Sequence, residues 1–225
     1  MKLEFDVAGA GPLAIDLTEL VVAGWAGRDL AAIEHHIEEL FAIGVPRPSA
    51  VPLFYRGAEN LMTQADRIQV IGGQTSGEVE TFVFSAGGEM YVSLASDHTD
   101  RKLETQSVAL SKQICAKPIA RAAWRFAEVE DHWDQLIIRA FIEENGRPVL
   151  YQEGPLSTLR PPRDLIAGFA EGATAVPAGV GMICGTVGAI GGIRPSSSFT
   201  MELSDSVKGR TIRHTYAVDV LPEVA

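Results

Sequence analysis

The sequence lacks the features that mark membrane, secreted and disulfide-rich proteins. It has two cysteines in 225 residues, Cys115 and Cys184, so no disulfide framework is expected and a reducing compartment is the default. Glycine, proline or charge interrupts every long apolar run, which argues against a transmembrane helix. Residues 1–6 carry acidic side chains where a signal peptide needs a basic and then an apolar run. We therefore expect a cytoplasmic protein without a membrane partner.

An excess of basic side chains is also missing. The chain has 19 lysines and arginines against 29 aspartates and glutamates, a formal net charge of -10, and no basic stripe. Nucleic acids and anionic membranes are therefore not expected partners. A hydrophobic content of 46% and a charged content of 21% are those of a globular protein with ample length for a core.

The order of apolar and turn residues predicts a mostly β (α+β) fold with a curved, mixed sheet. Short runs of alternating hydrophobicity recur along the chain, separated by glycine and proline turns. Asp29 is a candidate N-cap for a helix over residues 30–42, and residues 162–170 favour a second, short helix. We expect an N-terminal portion of strands and one helix over residues 1–50, and a β domain over residues 51–225, packed as one compact unit.

Two carboxylates stand on one face of a predicted strand over residues 78–84. The two-residue period of a strand places Glu78, Glu80, Phe82 and Phe84 on the same side. Because a solvated face seldom carries two phenylalanines, we expect the carboxylates at the mouth of an apolar cavity. Carboxylates so placed repel each other unless a cation neutralises them. The alternative is an edge strand with solvated acids.

A third acidic signal follows the next apolar run. Residues 96–104 hold ionisable side chains of both signs, including Asp97, directly behind a predicted strand. With Glu78 and Glu80 this segment predicts one oxygen-ligated metal site. The expected ion is Mg²⁺ or Mn²⁺ rather than Zn²⁺, because cysteine and clustered histidine ligands are few.

The predicted helix carries two neighbouring histidines with different surroundings. At about 100° per residue, the apolar residues of this helix form a single stripe. His36 falls at the edge of that stripe, whereas His35 faces solvent. Glu39 lies three residues after His36 and can meet it. Two interpretations remain open. His36 is either a half-buried surface histidine or a general base oriented by Glu39.

The order of these segments resembles the fumarylacetoacetate hydrolase superfamily, and within it a prokaryotic branch catalogued as a domain of unknown function. The similarity runs from about Val22 to Val218. Its segments are residues 22–25 (VAGW), 36–39 (HIEE), 52–55 (PLFY), Glu78 with Glu80, Asp97 with Arg101, Lys112, residues 151–154 (YQEG), and Gly185 with Thr186. The sequence departs from the family pattern at Trp25 and Ala26, at Val187, and in a short loop that leaves Lys112 or Lys117 as the active-site lysine.

The resemblance implies a mixed β-sheet roll, a homodimer and a metal-dependent hydrolase that cleaves a C–C bond in a 2-oxo acid or acylpyruvate. A decarboxylase, isomerase or dehydratase acting on a related 2-oxo acid is the alternative, and a non-catalytic carboxylate-binding protein is a further one. The implied metal ligands are Glu78, Glu80 and Asp97. The implied catalytic residues are His36, Glu39 and Lys112, and the implied substrate-binding residues are Arg101, Gln152 and Thr186.

The net charge of the implied site and the role of Arg101 depend on the tertiary structure. Three carboxylates, one divalent ion and one lysine would make the site neutral. Arg101 is either a substrate ligand or an ion-pair partner of Asp100 or Glu104.

Overall fold

The computed structural model describes residues 1–42 and 46–224 as many short strands joined by few helices. The strands are β1 (Lys2–Val7), β2 (Gly11–Asp16), β3 (Glu19–Gly24), β4 (Leu53–Gly57), β5 (Met62–Thr63), β6 (Arg67–Ile71), β7 (Thr75–Ser76), β8 (Val79–Ala86), β9 (Glu89–Ser96), β10 (Thr99–Asp100), β11 (Lys117–Pro118), β12 (Ala122–Arg125), β13 (Ile137–Glu144), β14 (Arg147–Pro155), β15 (Val180–Ile183), β16 (Ser198–Asp205) and β17 (Arg210–Leu221). The helices are α1 (Leu30–Ala42), α2 (Arg101–Glu104), α3 (Val108–Ile114) and α4 (Pro162–Phe169). None of these helices is long and apolar enough to cross a membrane.

The strands form two principal sheets, which confirms the predicted mixed α+β fold. The larger sheet has eight strands in the order β2-β1-β12-β9-β8-β15-β3-β4, and the smaller has five in the order β14-β13-β16-β17-β6. Parallel pairs, such as β1 with β12 and β15 with β3, occur beside antiparallel ones. The N-terminal strands β1 to β3 belong to the same sheet as β8 and β9, so they pack as part of the scaffold that carries the acidic residues.

Two hydrophobic clusters cover opposite faces of the larger sheet. Val83 and Val92 belong to the cluster that also contains Ile138 and Met201 of the smaller sheet, so this core lies between the two sheets. Alternate positions on the same strands supply the second cluster. There Phe5 of β1 stacks on Phe84 of β8 with ring centroids 4.4 Å apart, although two strands separate β1 from β8. The sheet therefore curls around this second cluster.

The aromatic continuation of the acidic strand is packed core. Phe82 and Phe84 are both fully buried among side chains of the second cluster. Phe84 also stacks on Tyr91, at 5.4 Å between ring centroids. The sequence predicts that the carboxylates stand at the mouth of an apolar cavity, but strands β1 and β2 fold over the two rings, so packed core takes the place of that cavity. The rings anchor β8 and leave its first residues at the rim of the core.

The hairpin β8–β9 brings the three acidic positions together. Gly87 and Gly88 adopt positive φ angles of 59° and 84°, the backbone that a tight hairpin turn requires. The register pairs Val79 with Ser96, and the Asp97 N–H then donates to the Glu78 carbonyl at 3.0 Å. Glu78, just before β8, and Asp97, just after β9, therefore lie side by side at the same end of the sheet.

The segment after β9 folds into two short helices to which the sequence assigns no element. The Asp100 carboxylate caps α2 by accepting from the Leu103 N–H at 2.9 Å, and the Ser107 hydroxyl caps α3 by accepting from the Leu110 N–H at 3.3 Å. Such short helices carry too few periodic positions for a sequence pattern to reveal them. Helix α3 is the element that presents Lys112.

Helix α1 has the predicted bounds and the predicted cap. Asp29 Oδ1 accepts hydrogen bonds from the Ala31 and Ala32 N–H groups, both at 3.0 Å. The apolar stripe is shorter than its pattern suggests: Ile37 is buried, but Leu30 and Phe41 are 57% and 53% exposed. The helix therefore packs through its middle.

Candidate metal centre

Three carboxylates converge where β8 begins and β9 ends, at one end of the larger sheet. Glu78, Glu80 and Asp97 each offer an oxygen, and these atoms all lie within 4.8 Å of one another. Glu80 is 3% exposed and Asp97 is fully buried, whereas Glu78 is half-buried. The structure thus brings together the three residues that the sequence predicts as metal ligands. Solvated acids on an edge strand, the alternative interpretation, do not describe this geometry.

Glu80 stands in surroundings that oppose its negative charge. Burial raises the pKa of its carboxyl well above the ordinary value of 4.5, and the charges of Asp97 and Glu78 raise it further. The backbone N–H of Gly185 donates to Glu80 Oε2 and opposes this effect. A cation at the cluster would stabilise the ionised form, because it supplies the opposite charge that the site's own residues provide only in part.

Asp97 is held between two lysines. The Lys112 ammonium donates to Oδ2, and the Lys117 Nζ lies 2.9 Å from Oδ1. Burial raises the pKa of the Asp97 carboxyl, but the two neighbouring ammonium groups outweigh burial and hold this pKa below its ordinary value. Asp97 is therefore ionised at neutral pH.

The two lysines differ in their surroundings. Lys117 is fully buried, and its ammonium also donates to the His98 carbonyl. The Lys112 side chain is 11% exposed, its Nζ lies 4.0 Å from Glu78 Oε2, and it stands 5.8 Å from the centre of the Tyr55 ring. Burial lowers the pKa of Lys112, but Asp97 and Glu78 outweigh it, so the net pKa is raised. Lys112 is the lysine that lies beside both Asp97 and Glu78, whereas Lys117 contacts Asp97 alone among the three carboxylates in the described residues.

Arg101 holds the third carboxylate. Its Nη2 lies 3.1 Å from Glu78 Oε1, its Nη1 donates to Glu104 at 2.9 Å, and its Nε donates to the Ser76 hydroxyl at 2.7 Å. Of the two roles that the sequence leaves open for Arg101, ion pairing with Glu104 is observed. The guanidinium therefore orients Glu78 within the cluster.

The donor set fits a hard divalent cation. Three carboxylate oxygens are the ligands that Mg²⁺ and Mn²⁺ accept, and no cysteine or histidine joins the described cluster. Asp97 Oδ1 and Arg101 Nη2 are buried and, despite their ionic neighbours, have no aligned hydrogen bond within the described residues. The chemistry of the site thus agrees with the predicted cofactor.

The charge of the site differs from the neutral count that the sequence suggests. Lys117 and Arg101 add two positive charges, and Glu104 adds one negative charge through Arg101. Four carboxylates therefore face three cationic side chains, and a divalent ion leaves one net positive charge. The neutral count is wrong because the sequence does not show that Lys117 and Arg101 fold into contact with the ligands. A positive site suits an anionic ligand.

Gln152 and Thr186 connect the start of β8 with the segment after Gly185 by hydrogen bonds. Gln152 accepts from the Val79 N–H at 3.0 Å and donates to the Thr186 hydroxyl and to the Val187 carbonyl, at 2.9 and 2.6 Å. The Thr186 hydroxyl in turn donates to the Val79 carbonyl at 2.7 Å. The family resemblance implies both residues as substrate ligands; in the structure they make hydrogen bonds within the protein, and their substrate role stays a prediction. They fix the turn that begins at Gly185.

Gly185 is required at this turn for two reasons. Its φ is +91°, and a Cβ at this position would lie 2.7 Å from the Ala26 Cβ. We expect Gly185→Ala to lower the free energy of unfolding by about 1–3 kcal/mol and to weaken metal binding, because the N–H that orients Glu80 would move. Thermal unfolding with and without Mn²⁺ measures both effects.

Gly188→Ala is the matched control for this substitution. A Cβ at Gly188 meets no atom within 4 Å, and Gly188 is not among the glycines with positive φ. The control is expected to melt and to bind metal like the unsubstituted protein. Equal behaviour of the two variants would show that the turn does not position Glu80.

A buried polar network that the sequence does not reveal supports the end of β9. His98 Nδ1 lies 2.9 Å from the Tyr216 hydroxyl and Nε2 lies 2.9 Å from the Thr75 hydroxyl. Tyr216 donates to the Ser96 hydroxyl at 2.8 Å, and that hydroxyl accepts from the Glu78 N–H at 3.3 Å. Burial, with Lys117 and Arg101, lowers the pKa of His98 to about 3, so its ring is neutral. The network ties β17 to the backbone of both metal-ligand segments.

The proposed catalytic pair on α1 is described only in part. Glu39 Oε1 lies 3.4 Å from Nε2 of His35, a solvent-exposed contact between residues four apart on the helix. The side chain of His36 lies outside the described residues. The predicted His36–Glu39 dyad therefore stays a prediction.

The comparisons with known proteins place the chain in a family. The sequence profile of DUF2848, described as a protein of unknown function, matches residues 23–216. The chain belongs to the DUF2848 family. This confirms the predicted branch, and no curated protein sequence matches the chain significantly.

Solved structures confirm the fold of the fumarylacetoacetate hydrolase superfamily. A candidate fumarylacetoacetate isomerase/hydrolase from Oleispira antarctica superposes with a TM-score of 0.68 at 19% identity, over 96% of this chain and 99% of that one. A candidate fumarylpyruvate hydrolase from Burkholderia cenocepacia has a TM-score of 0.64 at 15% identity, over 99% and 96%. A 2-keto-3-deoxy-D-arabinonate dehydratase complexed with magnesium and 2,5-dioxopentanoate has a TM-score of 0.63 at 16% identity, over 95% and 78%. At these identities the likeness establishes the fold.

Proposed function

We propose that the protein is a divalent-metal-dependent hydrolase that cleaves a C–C bond in a 2-oxo acid or acylpyruvate. The observation that supports this proposal is the convergence of Glu78, Glu80 and Asp97 beside the ammonium group of Lys112. Such a site offers oxygen ligands for an ion, and a cationic side chain for a substrate that becomes more negative as it reacts. The fold shared with the candidate hydrolases agrees with this assignment.

Each described residue has a distinct role in this proposal. Glu78, Glu80 and Asp97 would hold Mg²⁺ or Mn²⁺, and the ion would supply Lewis-acid polarisation of a substrate carbonyl. Lys112 places a positive charge beside the anion that forms from the substrate, and loss of such a group typically lowers the rate by about 10²–10³-fold. Arg101 and the Gly185 N–H orient the glutamates.

The proton-transfer step is assigned to α1. In the proposal, His36 activates the attacking water with Glu39 as its orienting carboxylate, a contribution of roughly 10²–10⁴-fold. Helix α1 begins four residues after Ala26, which abuts Gly185 at the candidate metal centre. This connection is the structural reason to keep His36 as the candidate base.

A lyase is the second candidate. The dehydratase with the shared fold was solved with magnesium and 2,5-dioxopentanoate. The same carboxylates and Lys112 could support decarboxylation, isomerisation or dehydration of a 2-oxo acid, because these reactions also pass through an enolate. We propose further that the protein acts in the cytoplasm as a homodimer, without nucleic-acid or membrane partners.

The proposal is tested by incubating the protein with acylpyruvates, oxaloacetate and 2-keto-3-deoxy acids, with Mg²⁺, with Mn²⁺ or with a chelator. Metal-dependent release of a carboxylic acid and pyruvate from an acylpyruvate is the expected result. Loss of water or carbon dioxide alone would favour the lyase. Metal binding without turnover of any substrate would identify a carboxylate-binding protein and overturn the enzyme assignment.

The proposed base is tested by comparing neighbouring histidines in the same assay. We expect His36→Ala to slow turnover by about 10²-fold or more, and His35→Ala to leave it nearly unchanged. Both variants remove an imidazole from the same helix, so His35→Ala controls for helix stability. Equal losses would remove His36 from the mechanism.

A further inference from the structure

Lys112 lies beside two of the three carboxylates of the cluster, Asp97 and Glu78. Its ammonium donates to Asp97 Oδ2 and lies 4.0 Å from Glu78 Oε2. The ligand oxygens of Glu78, Glu80 and Asp97 lie within 4.8 Å of one another, so a cation that contacts all three has to approach this ammonium closely. Two positive charges at such a distance repel strongly in a site with little water.

The two lysines at Asp97 differ in how firmly their side chains are held in place. Lys117 is fully buried, is fixed by the His98 carbonyl, and belongs to β11, which pairs with β5. Lys112 is partly exposed and lies on α3, where the neighbouring Leu110 and Ile114 face solvent. The Tyr55 ring, 5.8 Å from its Nζ, offers a second favourable contact for a displaced ammonium.

We propose that Lys112 is a built-in counter-ion, which a divalent cation displaces from the carboxylates toward Tyr55. In the metal-free protein, Lys112 neutralises part of the acidic cluster and keeps it compact. Metal binding releases the ammonium while Lys117 continues to hold Asp97. The freed ammonium then stands beside the metal centre and faces an incoming anion. This inference rests on the proposed metal site and adds that Lys112 serves the site in two successive positions.

The first test measures Mn²⁺ binding by titration calorimetry, without substrate. We expect Lys112→Met to bind Mn²⁺ at least about ten-fold more tightly than the unsubstituted protein, because the competing charge is gone. Lys112→Arg keeps a competing charge and should bind more weakly than Lys112→Met. Lys102→Met, which removes an exposed lysine paired with Glu223, should leave the affinity unchanged.

The second test uses the unsubstituted protein, so it does not depend on the folding of a variant. Lysines are acetylated with a limiting reagent, with and without Mn²⁺, and quantified by mass spectrometry. Displacement predicts that Mn²⁺ increases the labelling of Lys112 several-fold, while that of Lys117 and Lys102 stays constant.

The outcomes separate this inference from the proposed function. If the unsubstituted protein binds Mn²⁺ but Lys112→Met binds it no more tightly, or if Mn²⁺ does not increase the labelling of Lys112, the displacement is wrong and the metal site stands. If neither the unsubstituted protein nor Lys112→Met binds Mn²⁺, the metal site itself is wrong, and the displacement fails with it.

Discussion

Glu80→Gln is expected to abolish detectable Mg²⁺ and Mn²⁺ binding and to lower turnover by at least about 10³-fold. Glutamine keeps an oxygen that can accept from the Gly185 N–H, so the turn should stay in place while the negative charge is lost. Calorimetry with Mn²⁺ and the acylpyruvate assay measure the two effects. Glu89→Gln, at an exposed position of the same hairpin, is the control and should behave like the unsubstituted protein.

The same variant has a predictable stability in the absence of metal. Burial and the neighbouring carboxylates raise the pKa of Glu80 above 4.5, so the folded protein holds this proton more tightly than the unfolded chain does. The metal-free protein should therefore lose stability as the pH rises from about 4.5 through the raised pKa. Glu80→Gln should remove this loss, which urea unfolding at several pH values can show. A variant that binds Mn²⁺ normally, or unfolds with an unchanged pH dependence, would contradict the assignment of Glu80.

Lys117→Met is expected to lower the free energy of unfolding by about 3–5 kcal/mol, the largest stability effect at the site. The substitution leaves the buried Asp97 carboxylate with Lys112 as its remaining cationic contact, and it removes the donor to the His98 carbonyl. Urea unfolding at pH 7 measures the loss. Lys102→Met again serves as the exposed control, with little change expected.

The pH dependence of this loss follows from Asp97. The lysines hold the pKa of Asp97 below its ordinary 3.8, so the stability that they contribute is complete above pH about 4 and disappears as the pH falls below it. The difference in free energy of unfolding between Lys117→Met and the unsubstituted protein should therefore become smaller at low pH. If this difference in free energy of unfolding stays constant as the pH falls, Lys117 acts through packing alone.

The local elements of this fold are visible in the sequence. The alternation of apolar residues predicts most strands, and Asp29 predicts the start of α1. These features depend on neighbouring residues, which a sequence pattern records directly. The short helices α2 and α3 escape such a pattern because each has only one or two turns.

The acidic cluster of the candidate metal centre can also be predicted from the sequence, because period-two spacing places Glu78 beside Glu80 and the family resemblance adds Asp97. The residues that surround this cluster cannot be predicted in the same way. Arg101, Gln152 and Thr186 make ion pairs and hydrogen bonds that orient the site, which the sequence does not show, and their contact with a substrate stays a prediction.

The sequence by itself therefore determined the fold class, the strand order of the central hairpin and the acidic triad. Tertiary structure decided that Phe82 and Phe84 fill a core, that Lys112 lies beside two of the carboxylates, and that Lys117 contacts Asp97. The physical reason is that period and spacing specify contacts between near neighbours. The charge balance of a buried site depends on which distant side chains the curled sheet brings together.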